Sequence, residues 1–180
     1  MFKLNQSTLS GCFEIMNTKK EDSRGYFMKI FHEGFFQQHG LVNCFKEQYF
    51  TMSIKGSLRG MHFQIPPHDQ EKLVSCISGS VLDVVVDLRK SSKTYGMATT
   101  FDLSEERANS IYIPRGMAHG FYVYSPQALL VYNVTTTYSE DHDRGISWES
   151  VPIVWPDTDP IISNRDLSHQ RLDEFFSPFL

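Results

Sequence analysis

Long apolar runs are missing from this 180-residue chain. Nothing approaches the roughly 20 consecutive apolar residues that a membrane-crossing helix needs, so such a helix is excluded. The opening segment, MFKLNQSTLSGCF, has one lysine and no apolar core stretch. No secretory signal is expected there, and the cytoplasm is the expected compartment. Basic runs are also missing. Lys+Arg number 17 against 21 Asp+Glu, a net charge of −4, which argues against nucleic acid as partner. Cysteines are few: Cys12, Cys44 and Cys76, an odd number with no CxxC spacing. They supply neither a disulfide frame nor a zinc ligand set and read as reduced thiols. Gly 11 and Pro 8 are too few for a collagen-like or low-complexity chain. No internal repeat or linker appears, so residues 1–180 read as one domain.

What the chain does have is short extended runs. Tyr26–Phe31, Lys72–Ser78, Val81–Leu88, Asn109–Pro114, Gly120–Tyr124 and Ala128–Thr137 are rich in β-branched and aromatic residues. Turn residues such as Gly79 and Arg115-Gly116 separate them. This pattern predicts an all-β sandwich or barrel. Helix is expected in two short places, over Glu33–His39 and over Arg165–Phe176, the latter capped by Asp166 or Ser168.

Two histidines have unusual surroundings. His62 sits in Leu58-Arg59-Gly60-Met61-His62-Phe63-Gln64. Strand alternation puts His62 and Arg59 on opposite faces unless the strand bends at Gly60. His119 ends a Pro114-x-Gly116-x-x-His119 motif. That spacing resembles the second motif of the cupin superfamily. The HxH of the first cupin motif is broken, because Gln64 stands where the second histidine belongs. Two histidines alone leave a metal short of ligands, so no metal is expected. Asp83 and Asp87 lie inside a β-branched run, where burial is costly unless each meets a polar pocket or a cation such as Arg89. His32, His39, His68, His142 and His169 read as structural or exposed.

A wider series of motifs runs through nearly the whole chain. It comprises Asp22-Ser-Arg24-Gly25-Tyr-Phe27, Leu58–Gln64 with Pro66-Pro67, Lys72-Leu-Val, and Gly79 through Ser92 with Thr94-Tyr-Gly96. It continues with Ile113 through Phe121, Tyr132, Tyr138, Arg144-Gly145-Ile-Ser-Trp148, Trp155-Pro156 and Ile162-Ser163-Asn-Arg-Asp166. In this ordered set the chain resembles the dTDP-4-dehydrorhamnose 3,5-epimerase family, whose members act on nucleotide-linked 4-keto sugars. The resemblance implies a cupin-type double-stranded β-helix, or jelly roll, with short peripheral helices. It also implies a cofactor-independent isomerase acting in deoxysugar or surface-polysaccharide synthesis. The expected assembly is a homodimer that exchanges N-terminal strands.

The resemblance assigns roles residue by residue. His62 matches the base, Asp166 its carboxylate partner, Lys72 the cation beside the ketone, and Tyr132 the opposite-face acid. Arg24 and Arg59 match residues that hold the pyrophosphate or nucleotide, and His119, Tyr138 and Asp83 match other pocket residues. These residue types suit the chemistry. A histidine titrates near working pH, and a paired carboxylate orients it. A cation offsets the oxyanion that forms when an α-proton leaves.

Two departures fall in the part that grips the nucleotide. Lys29 stands where the family usually has glutamate. The family's Gln-x-Asn is replaced within Glu47-Gln48-Tyr49-Phe50-Thr51, where Gln48 is the residue placed to serve instead. The nucleotide-sugar substrate therefore stays open: dTDP-4-keto-6-deoxyglucose first, with CDP- or GDP-linked 4-keto sugars, heptoses included, beside it. So does inversion at C3, C5 or both. A cupin 3,4-ketoisomerase, a metal-dependent oxygenase and a non-catalytic sugar-nucleotide-binding module are the rival classes.

Overall fold

The computed structural model describes residues 2–180. In chain order the strands are β1 (Lys3–Gln6), β2 (Phe13–Met16), β3 (Thr18–Asp22) and β4 (Gly25–Lys29), followed by helix α1 (Glu33–Gln38). Then come β5 (Glu47–Ile54), β6 (Leu58–Gln64), β7 (Lys72–Ser78), β8 (Ser80–Asp87), β9 (Ala98–Ser104), β10 (Asn109–Ile113), β11 (Met117–Val123), β12 (Gln127–Val134) and β13 (Asp143–Gly145). A single-turn helix, α2 (Asn164–Leu167), lies in the C-terminal segment.

Two antiparallel sheets face each other in the expected jelly roll. One runs β1-β2-β10-β7-β12-β5, the other β13-β6-β11-β8-β9. The central strands read as nearly continuous apolar runs because they are covered on both faces. In β8, Val81 and Val85 enter the core between the sheets, with Val74, Ile111, Phe121 and Leu130. The alternate residues Leu82, Val84 and Val86 pack on the other side, under Trp148, Val151, Phe175 and Phe179 of the C-terminal segment. A third cluster around Phe36 of α1 covers part of the outer face of the six-stranded sheet.

The two buried aspartates of β8 both meet a partner, although among the described residues Asp83 Oδ1 accepts from none. Asp87 accepts from the Arg89 guanidinium at 2.8–2.9 Å and from Ser92 and Thr94. Asp83 faces the space between the sheets and meets His119.

The expected C-terminal helix does not extend from Arg165 to Phe176. Ser163, not Asp166 or Ser168, caps one turn by accepting from the Asp166 N–H at 3.1 Å. The chain then goes extended to pair Gln170 with Ile146. Packing of this tail against β6 outweighs its weak helical preference. Upstream of the turn, Leu58 N–H donates to Ile161 O at 2.9 Å. Asp166 is thereby delivered to β6, 104 residues from His62 in sequence.

Candidate active site

β6 does bend, and the bend builds the site. Gly60 has φ +135°, a backbone that L side chains rarely adopt. A Cβ there would stand 2.6 Å from Gly120 Cα of β11. This close approach coincides with a shift in the β6–β11 register, after which Phe121 pairs with Arg59 while His119 pairs with His62. Arg59 and His62 are three positions apart, an odd separation that a regular strand would put on opposite faces, yet both side chains line the same chamber.

That chamber, about 130 Å³, is lined by Tyr49, Thr51, Arg59, His62, Lys72, His119, Phe121 and Tyr132. It shares Tyr49, His62 and Lys72 with an outer chamber of about 290 Å³, whose walls include Glu47, Gln64, Gln70, Tyr138, Asp143 and Arg165. His62 comes from the five-stranded sheet, Lys72 and Tyr132 from the six-stranded one, so the cleft is walled by both.

His62 Nε2 lies 2.8 Å from Asp166 Oδ1. Asp166 is buried, and its Oδ2 accepts from Gly60 N–H at 3.1 Å. Burial alone raises this carboxyl's pKa, but the two nearby imidazoles, His169 and His62, and the Gly60 N–H outweigh it and hold it well below the usual carboxylate range. Burial also pushes His62 below its ordinary value; Asp166 opposes that shift, and Lys72 and Arg165 add to it. Neutral His62 donates Nε2–H to Asp166 and leaves the Nδ1 lone pair free.

Lys72 is buried, and its Nζ donates to His62 O at 3.1 Å. Burial lowers its pKa to about 8 against the pull of Asp143 and Asp83. It remains a cation at neutral pH. His119 Nε2 meets Asp83 Oδ2 at 2.8 Å. Asp83 itself is pushed up by burial, with His119 and Lys72 opposing. Tyr132 is buried, and its ring stacks on Tyr49 with centroids 4.7 Å apart and planes 10° apart. Burial, with Tyr49 and Asp83, holds its phenol far above 10, so it keeps its proton.

The fold thus gathers His62, Asp166, Lys72, Tyr132, Arg59, His119, Asp83 and Tyr138 at one cleft. It does not bring in the other three. Gln48 points to the outer face of β5 and donates to Asn133 Oδ1 at 2.7 Å. The inward residues of β5 are Tyr49 and Thr51, with Ser53 on the same face accepting from Arg59 Nε at 2.9 Å. Lys29 ends β4, exposed and away from the cleft. Arg24 sits at the β3–β4 turn, 87% exposed and paired with Asp22 at 2.7 Å.

Sequence reasoning missed Tyr49, Asp143, Arg165 and His169. Period-two alternation along β5 puts Tyr49 opposite in sense to Gln48, and Tyr49 is the register partner of Tyr132. Among the described residues, His62, Asp166 and His169 offer three donor atoms within 4.8 Å of one another. The 2.8 Å His62–Asp166 contact is shorter than the roughly 3.3 Å that separates two donors on one tetrahedral zinc. It is a hydrogen-bond length, and the group reads as one that handles protons.

The family model for dTDP-4-dehydrorhamnose 3,5-epimerase matches residues 6–174. A dTDP-4-dehydrorhamnose 3,5-epimerase of Shigella flexneri is 42% identical over 153 residues, covering 83% of this chain and 84% of its own. One of Methanothermobacter thermautotrophicus is 40% identical over 178 residues, 96% of each chain. The crystal structure of a Legionella pneumophila dTDP-6-deoxy-D-glucose-3,5-epimerase in complex with dTDP-4-keto-L-rhamnose superposes with a TM-score of 0.94 at 30% identity, covering 100% of this chain and 99% of that one. The chain belongs to the dTDP-4-dehydrorhamnose 3,5-epimerase family.

Proposed function

We propose that this protein epimerises a nucleotide-diphosphate-linked 4-keto-6-deoxy sugar, with dTDP-4-keto-6-deoxyglucose as substrate and C3 and C5 as the inverted carbons. One domain carries the whole reaction. The observation that carries this reading is the placement of His62 and Tyr132 on the two facing sheets, with Lys72 lining the same chamber. Inversion requires a proton to leave one face of the ring and return to the other.

In this reading His62 Nδ1 takes the proton from the carbon next to the ketone. The C–H electron pair moves into an enolate, and Lys72 stabilises the charge at the C4 oxygen. Tyr132, a neutral phenol, delivers its proton to the opposite face and is reprotonated from solvent. Asp166 holds the His62 tautomer and stabilises the imidazolium. Only protons move, so the chemistry needs no redox partner. His119, backed by Asp83, borders the inner chamber, and Arg59 serves the diphosphate. Tyr138 and Arg165 of the outer chamber serve the nucleotide. Tyr49 and Glu47, not Gln48, are the β5 residues that meet it.

The test is turnover. Proton NMR should show dTDP-4-keto-6-deoxyglucose converted to its C3,C5-inverted product, at a higher kcat/KM than the CDP- and GDP-linked sugars. A preference for another carrier would reassign the nucleotide. Migration of the ketone to C3 with no inversion would favour the ketoisomerase.

We also infer a homodimer in which the β3–β4 hairpins are exchanged and Arg24 and Lys29 reach the partner's outer chamber. Two features support it. The hairpin pairs with neither large sheet, although a lone two-stranded ribbon is marginal in water. Edge strand β5 exposes Phe50, Met52 and Ile54 on one face, Phe50 by 70%. Sedimentation should give twice the 20.8 kDa chain mass. Phe50→Asp should shift it to the monomer and weaken substrate binding; a wild-type monomer with full activity contradicts the assembly.

A further inference from the structure

Asp166 meets two imidazoles, not one. His62 Nε2 is 2.8 Å from Oδ1, and His169 Nε2 approaches the same oxygen at 3.6 Å. The two rings stand 5.8 Å apart at 83°. The His169 side chain is only 12% exposed, and among the described residues its Nε2 has no hydrogen-bond partner. A polar nitrogen withdrawn from water without a partner is destabilising, so its position calls for a compensating role.

The backbone fixes that position. The His169 ring lies directly on Gly145 of β13, where a Cβ would come within 2.2 Å of Nε2. Gly145 is the register partner of His62. The next residue, Gln170, bridges to Ile146. The same strand pair that holds His62 therefore seats His169 beside the carboxylate oxygen that His62 meets.

We propose that His169 is a positioning residue that shares the Asp166 carboxylate with His62 and thereby lowers the basicity of the His62 imidazole. The inference rests on the reading of His62 as the base. Both charge states of His169 act in one direction. Neutral His169, with its proton on Nε2, draws Asp166 charge away from His62. Protonated His169 adds a positive charge beside it. Each favours neutral His62, the form that accepts a substrate proton.

Other groups face His62 from every packed element. Lys72 from β7 and Arg165 from α2 also favour the neutral ring. Arg59 from β6 and the His119–Asp83 pair from β11 and β8 border the inner chamber. Glu47 from β5 and Asp143 from β13 border the outer one and act in the opposite sense. Tyr49, Tyr132 and Tyr138 are uncharged at neutral pH. None of these touches Asp166 as His169 does, so the effect of His169 is separable.

The experiment combines the acid limb of kcat/KM with NMR titration of the His62 imidazole in the substrate-free protein. His169→Leu should move both upward by about half to one pH unit. His169→Gln, whose amide N–H extends as far as Nε2, should restore both towards wild type. His169→Asn, one carbon too short, should behave like His169→Leu and replaces it if that variant does not fold. Unmoved titration in the Leu and Asn variants, or an equal shift in the Gln variant, overturns the proposal and leaves His169 as packing on Gly145. A wild type that shows the titration shift on mutation yet turns over no 4-keto sugar separates the cases: the sharing of Asp166 stands, and the base assignment falls.

Discussion

Replacing His62 with asparagine is expected to lower kcat by up to ~10⁴-fold while leaving KM within a few-fold of wild type. The reason is the division of labour in the cleft. In the proposed mechanism His62 supplies the lone pair that removes the α-proton, whereas Arg59 of the inner chamber and Tyr138 and Arg165 of the outer one are assigned to the diphosphate and nucleotide. A group that acts only in the transition state shows its loss in kcat, not in KM. Asp166→Asn should fall in the same direction by roughly 10²- to 10⁴-fold, because an amide N–H pointed at Nε2 selects the wrong tautomer. Wild-type kcat/KM should rise with pH as His62 loses its proton. Burial places that rise below the ordinary histidine value of 6.5. Steady-state kinetics on both variants checks each point, and a His62→Asn enzyme with wild-type kcat contradicts the assignment.

Lys72→Met should cost about 100- to 1,000-fold in kcat/KM, the usual effect of removing one oxyanion donor. The pH profile makes this prediction sharper. The Lys72 amine titrates near 8 because it is buried, well below 10.5. Its proton is in place at pH 7 and is lost as the pH rises through about 8. Wild-type kcat/KM should therefore form a bell, falling on the alkaline side as the cation disappears. In Lys72→Met the residual activity should lack that alkaline fall. Tyr132 does not account for the fall, since its phenol stays protonated far above 10. A bell that survives unchanged in Lys72→Met would assign the alkaline limb to another group.

Much of this architecture is legible in the sequence. Lys72–Ser78 is a strand with the predicted bounds, and the helix expected over Glu33–His39 runs Glu33–Gln38 with His39 as its C-cap. The pairing of His62 with Asp166 is implied by the family resemblance alone, since no local rule would join residues so far apart. What the sequence hides is local geometry. Arg59 and His62 share a chamber only because Gly60 reverses the strand face. Gln48 and Tyr49 differ by one residue, and in a strand one residue is the difference between outside and inside. The Arg165–Phe176 segment has the composition of a helix but ends after one turn, because the tail gains more by lying against β6 and β13. His169 carried a usable signal: three residues after Asp166, it lies on the same side of the turn.

The most direct test of the central claim is deuterium wash-in. The protein is incubated in D₂O with dTDP-4-keto-6-deoxyglucose, and the C3 and C5 protons are followed by NMR, with His62→Asn as control. The account predicts exchange at both carbons in wild type and none above background in the variant. Exchange that persists undiminished in His62→Asn, or no exchange in wild type on any nucleotide carrier, would contradict it.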